Sequence, residues 1–281
     1  MRIIRSQTKM SALSDGLKKK GMSIGLVPTM GYLHEGHLSL IRKARKENDS
    51  VVVSIFVNPA QFGPKEDLRK YPRDLGRDSD LCRKIGTDII FYPTIKSMYP
   101  DMYVTYVDVE DITRLLCGKS RPGHFRGVAT VVAKLFNIIR PDTAYFGQKD
   151  FQQAQVIKKM VKDLNMNVKV SVLATVREKD GLAMSSRNKY LKGVDRQDAS
   201  VLYGALMNAR ALIKEGERDP GKVIKAIITL ISKKASAKID YVEIVDPETL
   251  QRVEKIRNRV LIALAVFINK TRLIDNLLIR I

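Results

Sequence analysis

The chain contains three histidines, and two of them, His34 and His37, stand three residues apart in the run Pro28-Thr-Met-Gly-Tyr-Leu-His-Glu-Gly-His37. Gly31 and Gly36 permit tight turns there, and the apolar run up to Pro28 reads as a strand feeding the start of a helix. A helix N-terminus offers unpaired backbone N–H groups and a partial positive charge, which suits a phosphate. Across such a turn both imidazoles can face one anion, as donors or proton carriers. A metal pair is disfavoured, because no third Cys or His lies nearby and the HExxH spacing is absent. Simple helix-capping histidines are a competing explanation. The Gly31 to Gly36 spacing imitates a phosphate loop, but His37 and Leu38 replace the expected Lys-Ser/Thr, which argues against a Walker-type ATPase.

Three further segments carry polar side chains where a turn would present them. Val51 to Val57 delivers Asn58-Pro-Ala-Gln61-Phe-Gly63, whose amides can hold a small polar substrate, although Asn58 and Gln61 taken alone read as turn residues. Phe146-Gly-Gln-Lys-Asp150, followed by Gln152 and Gln153, supplies a mobile cation in Lys149, an acceptor for sugar hydroxyls in Asp150 and an amide in Gln153. A helix cap is the structural alternative for Asp150. Asp180-Gly-Leu-Ala-Met-Ser-Ser-Arg-Asn188 sets two hydroxyls beside Arg187, donors suited to phosphate oxygens, against the alternative of a generic Ser-rich loop. For His124, in Arg121-Pro-Gly-His-Phe-Arg126-Gly127, an anion contact and a structural turn are equally supported, so it stays outside the catalytic set.

These segments must be positioned by the elements between them. Through residue 175 short β-branched runs alternate with longer helical periods, which predicts parallel strands joined by crossover helices. The expected strands are Ile24 to Pro28, Val51 to Val57, Asp88 to Tyr92, Thr143 to Phe146 and Val168 to Leu173. Helices are expected from near Gly36 to Asn48, from Val128 to Ile139, where Pro141 ends it, and from Phe151 to Leu164. Two helical patterns follow, Asp195 to Glu215 and Pro220 to Ala235, then apolar runs at Tyr241 to Val245, Arg259 to Phe267 and Thr271 to Ile281. The expected fold class is α/β: a Rossmann-like, doubly wound parallel sheet over residues 1–175 and a smaller α+β domain over residues 176–281. In such a sheet ligands collect beyond the carboxyl ends of the strands, where the polar segments above fall.

Composition narrows the class. The net charge of +20 invites a polyanion partner, yet the excess of Lys and Arg is spread along the chain in rough proportion to length, as on a solvated surface. Two cysteines, Cys82 and Cys117, form neither a CxxC motif nor a disulfide framework. No run of about 18 uncharged apolar residues is present to span a bilayer, and the N-terminus lacks the apolar core of a secretory signal. These features lead us to expect a cytoplasmic protein.

Taken in order, PTMGYLHEGHLSL, VSIFVNPAQFGPKEDLRKYPRD, RPGHFRGVATVVAKLFNIIRPDTAYFGQKDFQQ, VREKDGLAMSSRNKYL and, more loosely, DYVEIVDPETL resemble the pantothenate synthetase family of HxGH nucleotidyltransferases. HxGH alone identifies only the superfamily; with NPxQFG, GQKD and MSSRN in this order the likeness is far more specific. It implies ATP-dependent condensation of pantoate with β-alanine through a pantoyl adenylate, Mg2+ carried mainly by ATP with no protein ligand identified, and a homodimer. By that resemblance Met30, Gly31, Tyr32, Leu33, His34, Glu35, Gly36 and His37 bind ATP, His37 being the usual proton donor. Gly147, Gln148, Lys149 and Asp150 match a nucleotide-binding segment, Val176 a backbone contact to the base, and Met184, Ser185, Ser186 and Arg187 a mobile phosphate-closing loop. Gln61 and Gln153 match pantoate positions, with Gln61 also near the β-alanine site and Asn58 beside it. The catalytic set is then His34, His37, Lys149 and Arg187. Another HxGH nucleotidyltransferase or a nucleic-acid-binding protein is the alternative, and neither calls for the Asn58, Gln61 and Gln153 amides beside a nucleotide. No membrane or nucleic-acid partner is expected.

Overall fold

The computed structural model describes residues 1–64 and 66–281. Its elements run β1 (Arg2–Ile4), α1 (Gln7–Lys19), β2 (Ile24–Thr29), α2 (Glu35–Glu47), β3 (Ser50–Ile55), α3 (Leu75–Lys84), β4 (Ile89–Phe91), α4 (Ile95–Met98), α5 (Cys117–Ser120), α6 (His124–Ile139), β5 (Thr143–Gly147), α7 (Phe151–Asp163) and β6 (Lys169–Leu173). After these come α8 (Gly193–Asp198), α9 (Val201–Lys214), α10 (Pro220–Ile231), β7 (Ala237–Val245), β8 (Arg259–Ile268) and β9 (Thr271–Arg280).

The first six strands form one parallel sheet in the order β1-β4-β3-β2-β5-β6. Strands β2 and β3 are almost wholly buried, as the continuous apolar runs Ile24-Gly-Leu-Val27 and Val51-Val-Val53 require of a sheet covered on both faces. The chain leaves β2 toward β3 on one side and returns to β5 on the other, so the reversal of strand order falls between β2 and β5. One core lies beneath α1, α6 and α7, with Met10, Leu26, Phe91, Phe136 and Ile157 at its centre. A second lies under α2 and α3, with Val27, Ile41, Val53 and Ile90.

Strands β7, β8 and β9 make a separate antiparallel sheet packed on α9 and α10. Asp219 caps α10 and Pro220 opens it, a position where the missing proline N–H costs nothing. The expected α/β class with a smaller α+β unit is what forms. Differences are local. The single helix expected over Asp195 to Glu215 is two, α8 and α9, and α6 begins at His124 rather than Val128. Among the described residues no helix is long and apolar enough to cross a membrane.

Candidate active site

The carboxyl ends of β2 and β5 open into one cavity, and the polar segments meet there. Its lining includes Met30, His34, Gly36, His37, Asn58, Gln61, Gly147, Lys149, Asp150, Gln153, Val176 and Met184 through Arg187. A larger cleft between the two sheets shares Arg121, His124, Lys149, Asp150, Gln153, Ser185 and Arg187 with it.

At the β2 end, Gly31 (φ +85°) and Tyr32 (φ 51°) reverse the chain in the left-handed region. Buried Asp78, on α3, accepts the N–H groups of Tyr32 at 2.7 Å and Leu33 at 2.8 Å, fixing the turn from outside. His34 then caps α2: the Gly36 N–H donates to its Nδ1 at 3.2 Å, and the His34 N–H donates to Nδ1 of His37 at 3.3 Å. A Cβ at position 36 would lie 2.9 Å from the His34 ring, so a larger residue there would force that ring to shift. The capping alternative is therefore realised, and it fixes the chemistry. With both Nδ1 atoms accepting, each neutral ring carries its proton on Nε2. Burial, then the Lys149 charge, lowers the His34 pKa to about 4; burial, then His34 and Lys149, holds His37 well below its usual range. Both rings are neutral donors at pH 7. Leu33 is buried in the core, and Glu35 pairs with Arg42 at 2.5 Å on the outer side of α2.

After β3, the 3-10 turn Pro59–Gln61 places Gln61 in the cavity. Asn58 is buried beneath it and its amide is committed: Nδ2 donates to Gln61 Oε1 at 3.1 Å and to the Gly127 carbonyl at 3.0 Å, while Oδ1 accepts the Tyr99 hydroxyl at 2.7 Å. His124 supports the same turn from the far side. Its Nε2 faces Arg121 Nη1 at 3.1 Å, and a guanidinium only donates, so Nδ1–H donates to the Gln61 carbonyl at 2.8 Å. Burial, then the Arg121 charge, lowers the His124 pKa to about 4. Arg121 is itself paired with Glu66. Residue type alone singles out neither Asp78 nor Glu66, because the first acts on backbone N–H groups and the second through Arg121.

At the β5 end, Asp150 occupies the N-cap position of α7 yet makes no capping hydrogen bond; its carboxylate lies 3.8 Å from the Lys149 ammonium. Gln148 points away from the cavity, toward Asn276 of β9. In the segment between β6 and α8, the Val176 carbonyl accepts the Met184 N–H at 3.0 Å, and Ser186 Oγ donates to the Tyr32 carbonyl at 3.2 Å. The Met184 to Arg187 segment thus lies against the His34 turn. Arg187 makes a bidentate pair with Asp67, Nε to Oδ2 at 2.9 Å and Nη2 to Oδ1 at 2.7 Å. Burial alone would raise the Asp67 carboxyl, but the Arg187 hydrogen bonds and charge outweigh it and hold the group below its usual range.

Two neutral N–H donors, a cation in Lys149, a second cation in Arg187 and the Gln61 and Gln153 amides suit a polyphosphate beside a small polar molecule. Comparison with known proteins agrees. The profile of the family described as pantoate-beta-alanine ligase matches residues 2–278. Pantothenate synthetase of Acetivibrio thermocellus is 58% identical over 281 residues, 100% of both chains, and that of Caldicellulosiruptor saccharolyticus is 59% identical over 265 residues, 94% of each. Among solved structures, pantothenate synthetase from Thermus thermophilus gives a TM-score of 0.93 at 44% identity, covering 99% of both chains. Pantoate-beta-alanine ligase from Francisella tularensis, solved in complex with beta-gamma ATP and beta-alanine, gives 0.84 at 39% identity, covering 99% of this chain and 97% of that one. With essentially its whole length matched in sequence and in fold, this chain belongs to the pantoate-beta-alanine ligase family.

Proposed function

We propose that this chain condenses pantoate with β-alanine at the expense of ATP through an enzyme-bound pantoyl adenylate. The observation that carries the reading is the meeting of the paired histidines, Lys149, Gln61 and Gln153 at the ends of adjacent strands, with the Met184 to Arg187 segment laid across them. A pantoate carboxylate oxygen attacks the α-phosphorus, the bond to the β-phosphate breaks and pyrophosphate departs. The β-alanine amine then attacks the acyl carbon and AMP leaves.

Negative charge builds on the departing pyrophosphate, so donors and cations fixed before the reaction stabilise that transition state. The Nε2–H groups of His34 and His37 serve there as hydrogen-bond donors beside the Lys149 ammonium. Met30, Gly31, Tyr32, Gly36, Gly147, Asp150 and Val176 shape the nucleotide subsite, and Gln61 and Gln153 hold pantoate. Asn58 acts by orienting Gln61. Arg187 exchanges Asp67 for phosphate oxygens when ATP enters, while Ser185 and Ser186 add hydroxyl donors. Residues 1–175 and 176–281 form two domains, and closure of the second excludes the water that would hydrolyse the adenylate.

Among the described residues no group of three or more His, Cys, Asp or Glu could hold a metal ion. Asp150 is the one carboxylate lining the smaller cavity among those residues, a donor set that fits Mg2+ bound chiefly by phosphates, where the ion would offset phosphate charge. A cytoplasmic homodimer belongs to the same reading, and light scattering checks the assembly. Pyrophosphate release tests the function: with ATP and pantoate alone we expect a burst of about one equivalent per site, and steady turnover only when β-alanine is added. Release that ignores pantoate would overturn the proposal.

A further inference from the structure

The last strand reaches into the site at a point that none of the motifs marks. Asn276, in β9, is 4% exposed, and both hydrogens of its amide are used: Nδ2 donates to the Gln148 carbonyl at 3.0 Å and to the Lys149 carbonyl at 2.9 Å. Those carbonyls belong to the 3-10 turn Gln148–Asp150, whose N-cap, Gly147, supplies no side-chain hydrogen bond. The turn that aims Lys149 is thereby pinned from outside the parallel sheet. Leaving two part-buried carbonyls without donors against the buried Asn276 side chain costs more than either hydrogen bond contributes when made, so the amide constrains the turn.

Neighbouring residues on a strand point to opposite faces, so the residue before Asn276 reaches a different segment. Asp275, 3% exposed, takes the Arg177 guanidinium at 2.7 Å and 3.0 Å. Arg177 also donates to the Gly181 carbonyl at 2.9 Å, and it pairs as a bridge with Ala183, immediately before Met184. Asp275 Oδ1 accepts the Asn276 backbone N–H at 2.8 Å, which ties the carboxylate to the main chain that carries the amide. One dipeptide of β9 therefore holds the Lys149 turn on one side and the root of the Met184 to Arg187 segment on the other.

We propose that Asn276 is a positioning residue for Lys149, and that with Asp275 it makes β9 the fixed point from which both phosphate-facing segments are aimed. The inference rests on the role assigned to Lys149 under the proposed function. Removing the amide lets the Lys149 turn relax, so the ammonium is displaced from the departing phosphates while the pantoate amides, on other elements, stay in place.

A double-mutant cycle on the full-length enzyme tests it, read as kcat and KM for pantoate-dependent pyrophosphate release beside a thermal midpoint for each variant. Asn276→Leu keeps the volume and loses the donors; we expect kcat to fall about ten- to a hundredfold with the KM for pantoate little changed. In a Lys149→Ala background the same change should cost almost nothing more, because the group it positions is gone. If Asn276→Leu imposed its full factor on Lys149→Ala as well, the residue would be merely structural and the proposal overturned. A Lys149→Ala enzyme of near wild-type rate would instead remove the role of Lys149, a distinguishable failure of the underlying reading. Should Asn276→Leu not fold, Asn276→Ser, which keeps one donor, replaces it: a partial loss of kcat that disappears in the Lys149→Ala background supports the proposal, and an undiminished loss overturns it.

Discussion

At the scale of single residues, burial keeps the paired histidines neutral and hydrogen bonds from the backbone choose their tautomer. His34 and His37 are donors because the α2 cap occupies their Nδ1 atoms. His37→Ala and Lys149→Ala should each slow adenylate formation at least about a hundredfold, the usual loss for a transition-state donor, as measured by pyrophosphate release. Near wild-type rates would remove them from the mechanism. Gln61→Ala should impair the handling of pantoate and β-alanine while equilibrium ATP binding survives; collapse of ATP binding would reassign the residue. These residues could be picked out in the sequence because their types are rare or chemically loaded. Asp78 could not. Its carboxylate serves two backbone N–H groups, and it sits on a helix, Leu75-Gly-Arg-Asp-Ser-Asp-Leu-Cys-Arg-Lys84, whose buried face includes Asp78 and Ser79 in place of an apolar stripe.

At the scale of elements, the strands with long β-branched runs were legible to within a residue or two, because burial on both faces leaves no alternative for such a run. The exceptions have physical causes. Strand β1 is three residues long and exists only by pairing with β4 at the sheet edge, a contact that local sequence does not encode. Helix α1 buries little beyond Met10 and Ser14, so its period is faint. The break between α8 and α9 falls inside a continuous helical period. Close approach of elements matters as much as their identity. A Cβ at Gly127 of α6 would lie 2.2 Å from the Ala60 carbonyl, inside the turn that presents Gln61. Gly127→Ala should therefore push that turn outward and raise the KM for pantoate about tenfold or more, with ATP affinity little altered. Unchanged pantoate kinetics in a folded variant would show that the turn tolerates the shift.

At the scale of the whole molecule, charge and protonation set the response to conditions. The three histidines all have pKa values lowered in the fold, His34 and His124 to about 4. An imidazole of that kind binds its proton more readily in the unfolded chain, so stability is full above the unfolded value of 6.5 and declines as pH falls toward about 4. The melting temperature should drop between about pH 7 and about pH 5, and less steeply in His124→Asn; a flat profile would contradict the burial of these rings. The +20 charge is spread over the surface, and we expect no submicromolar binding to duplex DNA or transfer RNA at about 0.15 M salt. The central claim is that a carboxylate oxygen attacks the α-phosphorus. Pantoate labelled with oxygen-18 in its carboxylate, turned over with ATP and β-alanine and read by mass spectrometry of the AMP, tests that claim most directly. One labelled oxygen in each AMP is the predicted result, and unlabelled AMP would contradict it.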